Sequence, residues 1–233
     1  MQHPEYNRDT NPYPSYGKRY NSEPAVISLT SWRARINTVS KTLFSLLKQC
    51  PGFHIVLVLS EEEFPKMMDE LPENLKLFVE NELVEVLWVY RNYRSFKKVF
   101  FTMDKYRDVP VISADDDCLY NCNYAKMLYD KWVQNKGCVY TFCKDRGSGF
   151  QHGPSTLYYG DLFRELAMKY ITQVYPHTNH DDWFYGSCLK KLGIPVIEIR
   201  RQVPYVFHDT IDAMSRRGNY GSAVGLCKRL LGV

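Results

Sequence analysis

The chain has 233 residues, of which 45% are hydrophobic and 24% are charged. This length and composition predict a single domain with a sizeable core and argue against a disordered or fibrous protein. The formal net charge of +4 suits anionic ligands such as nucleotides. It falls short of the strongly basic character of nucleic-acid-binding proteins, so no nucleic-acid partner is expected.

The sequence also favours a cytoplasmic protein without a transmembrane segment. No run of about 18 apolar residues occurs, and the first 24 residues lack the apolar segment of a signal peptide. The seven cysteines are scattered and none forms a C-x-x-C pair, so neither a zinc site nor a redox motif is indicated. Free cysteines in apolar segments are typical of a reducing cytoplasm.

Residues 1–24 are rich in Tyr, Pro and Asn without periodicity, and we interpret them as an irregular arm. From residue 25 onward, apolar runs alternate with amphipathic stretches. The runs predict four strands: AVISLT, HIVLVLS, VEVLWVY and VPVISA. The intervening stretches predict helices: INTVSKTLFSLLKQC, the segment from Glu61, SFKKVFFTMDKY and NYAKMLYDKWVQNK.

The second part of the chain is less regular. CVYTFCK and IPVIEIR predict strands, GDLFRELAMKYI and the segment from NHDDWF predict helices, and the tail from Val203 is irregular and then helical. Strands that are apolar throughout and separated by helices predict a mostly parallel sheet with helices on both faces. The fold class is therefore α/β, with a Rossmann-like arrangement.

Three consecutive aspartates, residues 115–117, follow the fourth strand in VISADDDCLY. Ligands of open α/β sheets bind beyond the carboxyl ends of the strands. In extended backbone Asp115 and Asp117 point to one side and Asp116 to the other. Such a carboxylate pair suits Mg²⁺ or Mn²⁺, with phosphate oxygens and water completing the coordination. The alternative is that the aspartates only cap the helix expected near Asn123.

An apolar strand, Asp-x-Asp and a further apolar pair resemble the DxD motif of nucleotide-sugar-dependent glycosyltransferases of the GT-A fold. The ordered segments ISLTSWRARI, SFKKV, SADDDCLY and DDWF further resemble small bacterial glycosyltransferases from surface-polysaccharide gene clusters. This resemblance covers residues 27–184 and implies one GT-A domain over residues 25–233. Its nucleotide-binding half would span about 25–122 and its acceptor half about 123–233.

The resemblance also implies the chemistry. A sugar would pass from a nucleotide-diphosphate sugar to a hydroxyl of a saccharide or lipid-linked saccharide. A divalent ion, Mn²⁺ or Mg²⁺, would bridge Asp115 and Asp117 to the donor diphosphate, and Asp115 and Asp116 would also contact the donor. The glycine-bearing loop RGSGFQHGPSTLYY would approach the sugar or the acceptor, although the family tends to carry paired glycines where Gly153-Pro154 stands.

The first segment offers donor contacts. Thr30 and Ser31 present hydroxyls and backbone amides to a nucleotide, and Arg35 suits a phosphate or ribose. The family more often has a proline where Arg33-Ala34 stands. The alternative is that Ser31 caps a helix and Arg35 is exposed.

The segment SFKKV predicts a second anion contact. Ser95 is a candidate N-cap, and Lys97 and Lys98 lie in the first turn, where the helix dipole disfavours positive charge. A bound phosphate would resolve this conflict. The alternative is that both lysines are solvated on a surface helix.

Two carboxylates open the predicted helix at DDWF. The resemblance implies that one of them is the general base of an inverting transfer, and we favour Asp182 over Asp181. Helix capping is the alternative. His208, after the last strand, is the candidate third metal ligand, with Asp209 beside it as an alternative and a purely structural histidine as another.

Other functions stay open on sequence grounds. The same carboxylates could serve a sugar nucleotidyltransferase or another metal-dependent phosphoryl-transfer enzyme. A non-enzymatic sugar-binding module is less well supported. The absence of a Walker loop and of G-x-G-x-x-G counts against kinases and dehydrogenases. The C-terminal AVGLCKRLLGV either packs on the domain, which we favour, or rests on the inner face of the membrane.

Overall fold

The computed structural model describes residues 13–49, 52–143, 155–199, 205–208 and 220–233. Within these ranges the strands are β1 (Ser15–Gly17), β2 (Val26–Thr30), β3 (His54–Ser60), β4 (Glu85–Val89), β5 (Val111–Ser113), β6 (Cys118–Tyr120), β7 (Val139–Thr141), β8 (Thr156–Tyr158), β9 (Val196–Glu198) and β10 (Tyr205–Phe207). The helices are α1 (Val39–Leu46), α2 (Glu73–Glu80), α3 (Lys97–Lys105), α4 (Tyr124–Gln134), α5 (Asp161–Val174), α6 (Asp181–Lys191) and α7 (Tyr220–Leu231).

Eight strands form one sheet in the order β1–β4–β3–β2–β5–β8–β7–β9. Its centre, β4–β3–β2–β5, is parallel. Strand β1 pairs antiparallel with β4, and β8 pairs antiparallel with both β5 and β7, while β9 is parallel to β7. Strands β6 and β10 form a separate antiparallel pair. The parallel strands thus end at one edge of the sheet, where the aspartates follow β5.

Helices cover both faces of the sheet. Alternate residues of β3 point to opposite faces: Ile55 and Leu57 pack with α1, α2 and α4, whereas Val56 and Val58 pack with α3, α5, α6 and α7. All seven residues of β3 are buried, which explains its unbroken apolar sequence. The predicted α/β class is confirmed.

The predicted strands and helices are observed, most of them with shorter bounds; β3 has the predicted bounds, and α5 extends to Val174, beyond its predicted end at Ile171. The exception is the segment after Glu61. There the chain turns, a 3₁₀ helix covers Met67–Glu70, and α2 begins only at Glu73. Pro65 and Pro72 interrupt the backbone hydrogen bonding of a continuous helix. The three-residue strands β1, β6, β8 and β10 were not predicted. Strand β1 lies within residues 1–24, where an irregular arm was expected.

The C-terminal helix α7 packs against α5 and α6. Its Cys227 and Leu231 side chains are buried, in agreement with the packing that we favoured. No helix in the part of the chain that the structure describes is long and apolar enough to cross a membrane.

A buried ionic cluster holds the amino-terminal edge of the sheet together. The Glu85 carboxylate lies 2.6 Å from His54 Nε2 and 2.6 Å from Lys105 Nζ, and it accepts a hydrogen bond from the Tyr106 hydroxyl. Lys105 also donates to the Ser15 hydroxyl of β1. Burial raises the pKa of Glu85, but its three partners outweigh burial and lower the pKa to about 2.

We expect Glu85→Gln to lower the free energy of unfolding by about 3 kcal/mol at pH 7. The folded-state pKa lies below the unfolded value of 4.5, so this stabilisation is complete above pH 4.5 and is lost as the pH falls toward 2. Denaturant unfolding across this range measures it, with the exposed Glu80→Gln as control. A difference between Glu85→Gln and wild type that grows as the pH falls would contradict the assignment.

Candidate active site

The aspartate triplet, residues 115–117, lies where the chain leaves β5 at the carboxyl edge of the sheet. The backbone turns at residues 116–117 before entering β6. The alternation expected for extended backbone therefore does not apply. Asp116 and Asp117 share one cationic partner, while Asp115 has another.

Arg35 is the partner of Asp116 and Asp117. Its guanidinium nitrogen lies 2.7 Å from Asp116 Oδ1 and 3.1 Å from Asp117 Oδ2. The Ser31 hydroxyl donates to the other oxygen of Asp116 at 2.6 Å. Ser31 and Arg35 are both buried, so the alternative of an exposed arginine is wrong. The aspartates are engaged with these groups rather than with α4, whose N-terminus at Asn123 has no side-chain cap.

Lys98 links the triplet to α6. Its ammonium group lies 2.7 Å from Asp115 Oδ1 and 3.2 Å from Asp181 Oδ2. Burial lowers the pKa of Lys98, but the two carboxylates outweigh burial and raise it well above its usual value. The carboxylates of Asp115 and Asp181 thus offset the unfavourable interaction between this lysine and the dipole of helix α3.

Lys97 occupies a neighbouring buried position. It is 1% exposed, and its ammonium group binds Glu63 at 3.0 Å and Asn92 at 2.9 Å. Burial lowers its pKa, against the opposing effect of Glu63. The alternative that Lys97 and Lys98 are solvated is therefore wrong. Contact of either lysine with a phosphate stays a prediction.

Two other candidate site residues, Ser95 and Thr30, form hydrogen bonds within the fold. Ser95 does not cap α3, since its hydroxyl donates to the Asn179 carbonyl at 2.5 Å. This bond ties the start of α3 to the segment that precedes α6. The Thr30 hydroxyl donates to the Val58 carbonyl of β3 at 2.7 Å. A role of Thr30 in nucleotide binding stays a prediction.

His208 lies beside the triplet because β10 pairs with β6. Its backbone N–H donates to the Asp117 carbonyl at 2.8 Å. Its Nε2 lies 3.0 Å from the hydroxyl of Thr42, which also lies 2.9 Å from the Asp116 carbonyl oxygen. Among the described residues, no three His, Cys, Asp or Glu side chains converge on one metal position. The role of His208 as third ligand stays a prediction.

Asp181 and Asp182 begin α6 but differ in their surroundings. Asp181 is buried against Lys98, and burial, partly offset by Lys98, raises its pKa. Asp182 is partly exposed, and its Oδ1 accepts the Trp183 N–H at 2.9 Å. The structure thus brings Asp181 into an ion pair with Lys98, a residue that also contacts the triplet.

The acidic cluster formed by the triplet and Asp181 is incompletely neutralised. Its four carboxylates share two cationic groups, Arg35 and Lys98, so its formal charge is two negative. Burial, together with the neighbouring charge of Asp115, raises the pKa of Asp117 from 3.8 to about 6, despite Arg35. The charge and the oxygen ligands fit one divalent cation, which one or two carboxylates commonly hold.

Several predicted contacts lie outside the described residues. These are the glycine-bearing loop as far as the Gly153-Pro154 pair, and Asp209 beside His208. Some residues that contact the candidate site residues were not predicted. Thr42 contacts the Asp116 and Cys118 carbonyls, and its polar side chain on the buried face of α1 is the one sequence signal that could have identified it. Asn179 and Asn92 carry no such signal.

No family model and no curated protein sequence matches this chain. Solved structures do match it in fold. Residues 1–349 of S. aureus TarS, in complex with UDP-GlcNAc, superpose with a TM-score of 0.58 at 14% identity, covering 89% of this chain and 64% of that one. The mannosyltransferase PcManGT from Pyrobaculum calidifontis, in complex with GDP-Man and Mn²⁺, gives 0.50 at 15% identity, covering 79% and 56%.

The chain has the GT-A fold. This confirms the fold predicted from the order of its motifs. The chain spans less than two thirds of the length of these two matched structures. At this low identity the similarity concerns the GT-A fold alone.

We expect Asp117→Asn to stabilise the metal-free protein by about 2–3 kcal/mol at pH 7.5. The raised pKa means that folding favours the protonated carboxyl, so wild-type stability falls as the pH rises from about 4 through 6. Denaturant unfolding in EDTA measures this, with the exposed Asp130→Asn as control. A variant less stable than wild type at pH 7.5 would show that the ionised Asp117 carboxylate does not destabilise the folded protein.

Proposed function

We propose that the protein is a metal-dependent glycosyltransferase. It moves a sugar from a nucleotide-diphosphate sugar to a hydroxyl of a saccharide or lipid-linked saccharide, in bacterial surface-polysaccharide synthesis. The observation that carries this proposal is the doubly negative acidic cluster at the carboxyl edge of a GT-A sheet. Proteins of this fold have been solved with UDP-GlcNAc and with GDP-Man and Mn²⁺, which supports the same ligand class here.

Asp115 and Asp117 would hold the divalent ion. When bound, the ion supplies positive charge to the departing nucleoside diphosphate. The two uncompensated negative charges of the cluster support this assignment. Ionisation of Asp117 at neutral pH costs free energy, as its raised pKa indicates, and an additional cation would remove this cost. His208, beside Asp117, would complete the ligand set.

Arg35 and Lys98 would fix the carboxylates that surround the diphosphate. Each bridges two aspartates through short contacts, and buried ion pairs of this kind hold side chains in one geometry. Their positive charges would also stabilise negative charge that develops on the leaving group. The donor-binding part of the site would also include four residues that either contact the donor or lie beside those that do: Thr30, Ser31, Lys97 and Asp116.

Asp182 would act as general base. Asp181 is buried and paired with Lys98, whereas Asp182 is partly exposed at the first turn of α6. The Asp182 carboxylate would accept the proton of the acceptor hydroxyl as its oxygen attacks the anomeric carbon. Attack on the face opposite to the departing diphosphate inverts the configuration at that carbon.

Donor binding tests the metal site. We expect nucleotide sugars, UDP or GDP with Mn²⁺ to raise the melting temperature of the wild-type protein by several degrees, since ligands that bind the native state stabilise it. Without Mn²⁺, or with Asp117→Ala, the increase should largely disappear. The exposed Asp130→Ala serves as control. An equal increase in EDTA would contradict metal dependence.

Product analysis tests the reaction. With the donor that binds best and a panel of saccharide acceptors, we expect a free nucleoside diphosphate and a new glycoside. Asp182→Asn should lower kcat by about 10²–10⁴-fold while donor binding is retained. Release of pyrophosphate with an activated sugar would instead identify a nucleotidyltransferase. Unchanged kcat in Asp182→Asn would exclude this residue as the base.

A further inference from the structure

A wide groove lies between α1 and α2, on the outer side of the helix layer. Its volume is about 800 Å³, within the range of about 300–1,000 Å³ that is usual for small-molecule sites. Its floor reaches β6 at Leu119 and Tyr120, two and three residues after Asp117. We call it the α1–α2 groove; the acidic cluster does not line it.

Exposed apolar side chains line the α1–α2 groove. Phe44 of α1 is 58% exposed, Leu77 of α2 is 52% exposed, and Leu83 and Leu119 are also exposed. Val206, which is the register partner of Leu119 in β10, is exposed as well and extends the apolar surface along the β6–β10 pair. Exposed apolar side chains that are grouped in this way, unlike singly scattered ones, are typical of binding sites.

Among the described residues, two charged side chains line the α1–α2 groove, and both are lysines. Lys41 and Phe44 lie on the outward side of α1, and Lys48 follows in the next turn, with its ammonium group 4.7 Å from the centre of the Phe44 ring. Neither lysine forms an ion pair with a described residue, in contrast to Lys97, Lys98 and Lys105. The other polar lining groups are neutral amides and hydroxyls.

We propose that the α1–α2 groove binds an anionic lipid of a membrane leaflet. The acyl chain would lie along Phe44, Leu77 and Leu119, and the headgroup phosphate would contact Lys41 and Lys48. The charge of the lining selects an anionic headgroup, and the apolar floor requires a hydrocarbon chain. Binding of this lipid is independent of the proposed transfer reaction, because no residue of the acidic cluster takes part.

The energetics favour joint recognition of chain and headgroup. Burying an exposed phenylalanine or leucine side chain contributes on the order of 1.5–3 kcal/mol when burial is complete. A lysine near an anionic membrane surface contributes about 1 kcal/mol. Either contribution alone gives weak, reversible binding, and together they give stable attachment. Such attachment would hold β6, and with it the acidic cluster, close to the membrane.

The protein is tested by flotation with phosphatidylcholine vesicles, with and without phosphatidylglycerol. We expect binding to the vesicles that contain phosphatidylglycerol and at least about tenfold weaker binding to phosphatidylcholine alone. Phe44→Ser with Leu77→Ser, and separately Lys41→Glu with Lys48→Glu, should each weaken binding by about tenfold or more. No binding of the wild-type protein to either vesicle overturns the proposal.

Matched substitutions elsewhere on the surface serve as controls. Val133→Ser removes a similarly exposed apolar side chain and Lys131→Glu reverses an exposed charge, both on α4; both should bind as wild type. Titration with octyl phosphate, octanol and inorganic phosphate tests the groove itself, with tight binding expected only for octyl phosphate. Groove variants that bind vesicles like the controls, or octyl phosphate like wild type, would also overturn the proposal.

Discussion

The central constraint on this structure is the repulsion among closely spaced, largely buried carboxylates at the carboxyl edge of the sheet. Asp116, Asp117 and Asp181 are each 6% exposed, and burial alone raises the pKa of each one. Arg35 and Lys98 offset only part of this cost. The remaining two negative charges are a local destabilisation that the rest of the fold must tolerate.

The architecture explains how the two cations reach the carboxylates. Arg35 comes from the segment after β2, which neighbours β5 in the sheet, and Lys98 lies in the first turn of α3. The Ser28 hydroxyl of β2 donates to the Lys98 carbonyl at 2.5 Å, which holds α3 against the sheet. A lysine in the first turn of a helix conflicts with the helix dipole, and such local conflicts are typical of functional sites.

Sequence periodicity predicted the parts of the fold that depend on local pattern. The strands β2–β5 and the helices that cover them could be found because apolar runs and amphipathic stretches have distinct periods. The pair β6–β10, which brings His208 to Asp117, could not be predicted, because three-residue strands separated by some 85 positions leave no periodic signal. The bridges of Arg35 and Lys98 were likewise hidden, since they depend on a turn at residues 116–117 where extended backbone was assumed.

The most direct test of the metal assignment is a crystal structure determined after soaking with Mn²⁺ and a nucleoside diphosphate, with diffraction recorded at the manganese absorption edge. The account predicts an anomalous peak beside the carboxylates of Asp115 and Asp117, with diphosphate oxygens completing the coordination. A nucleotide bound in the same crystal without such a peak, and with Asp117 still paired only with Arg35, would contradict it.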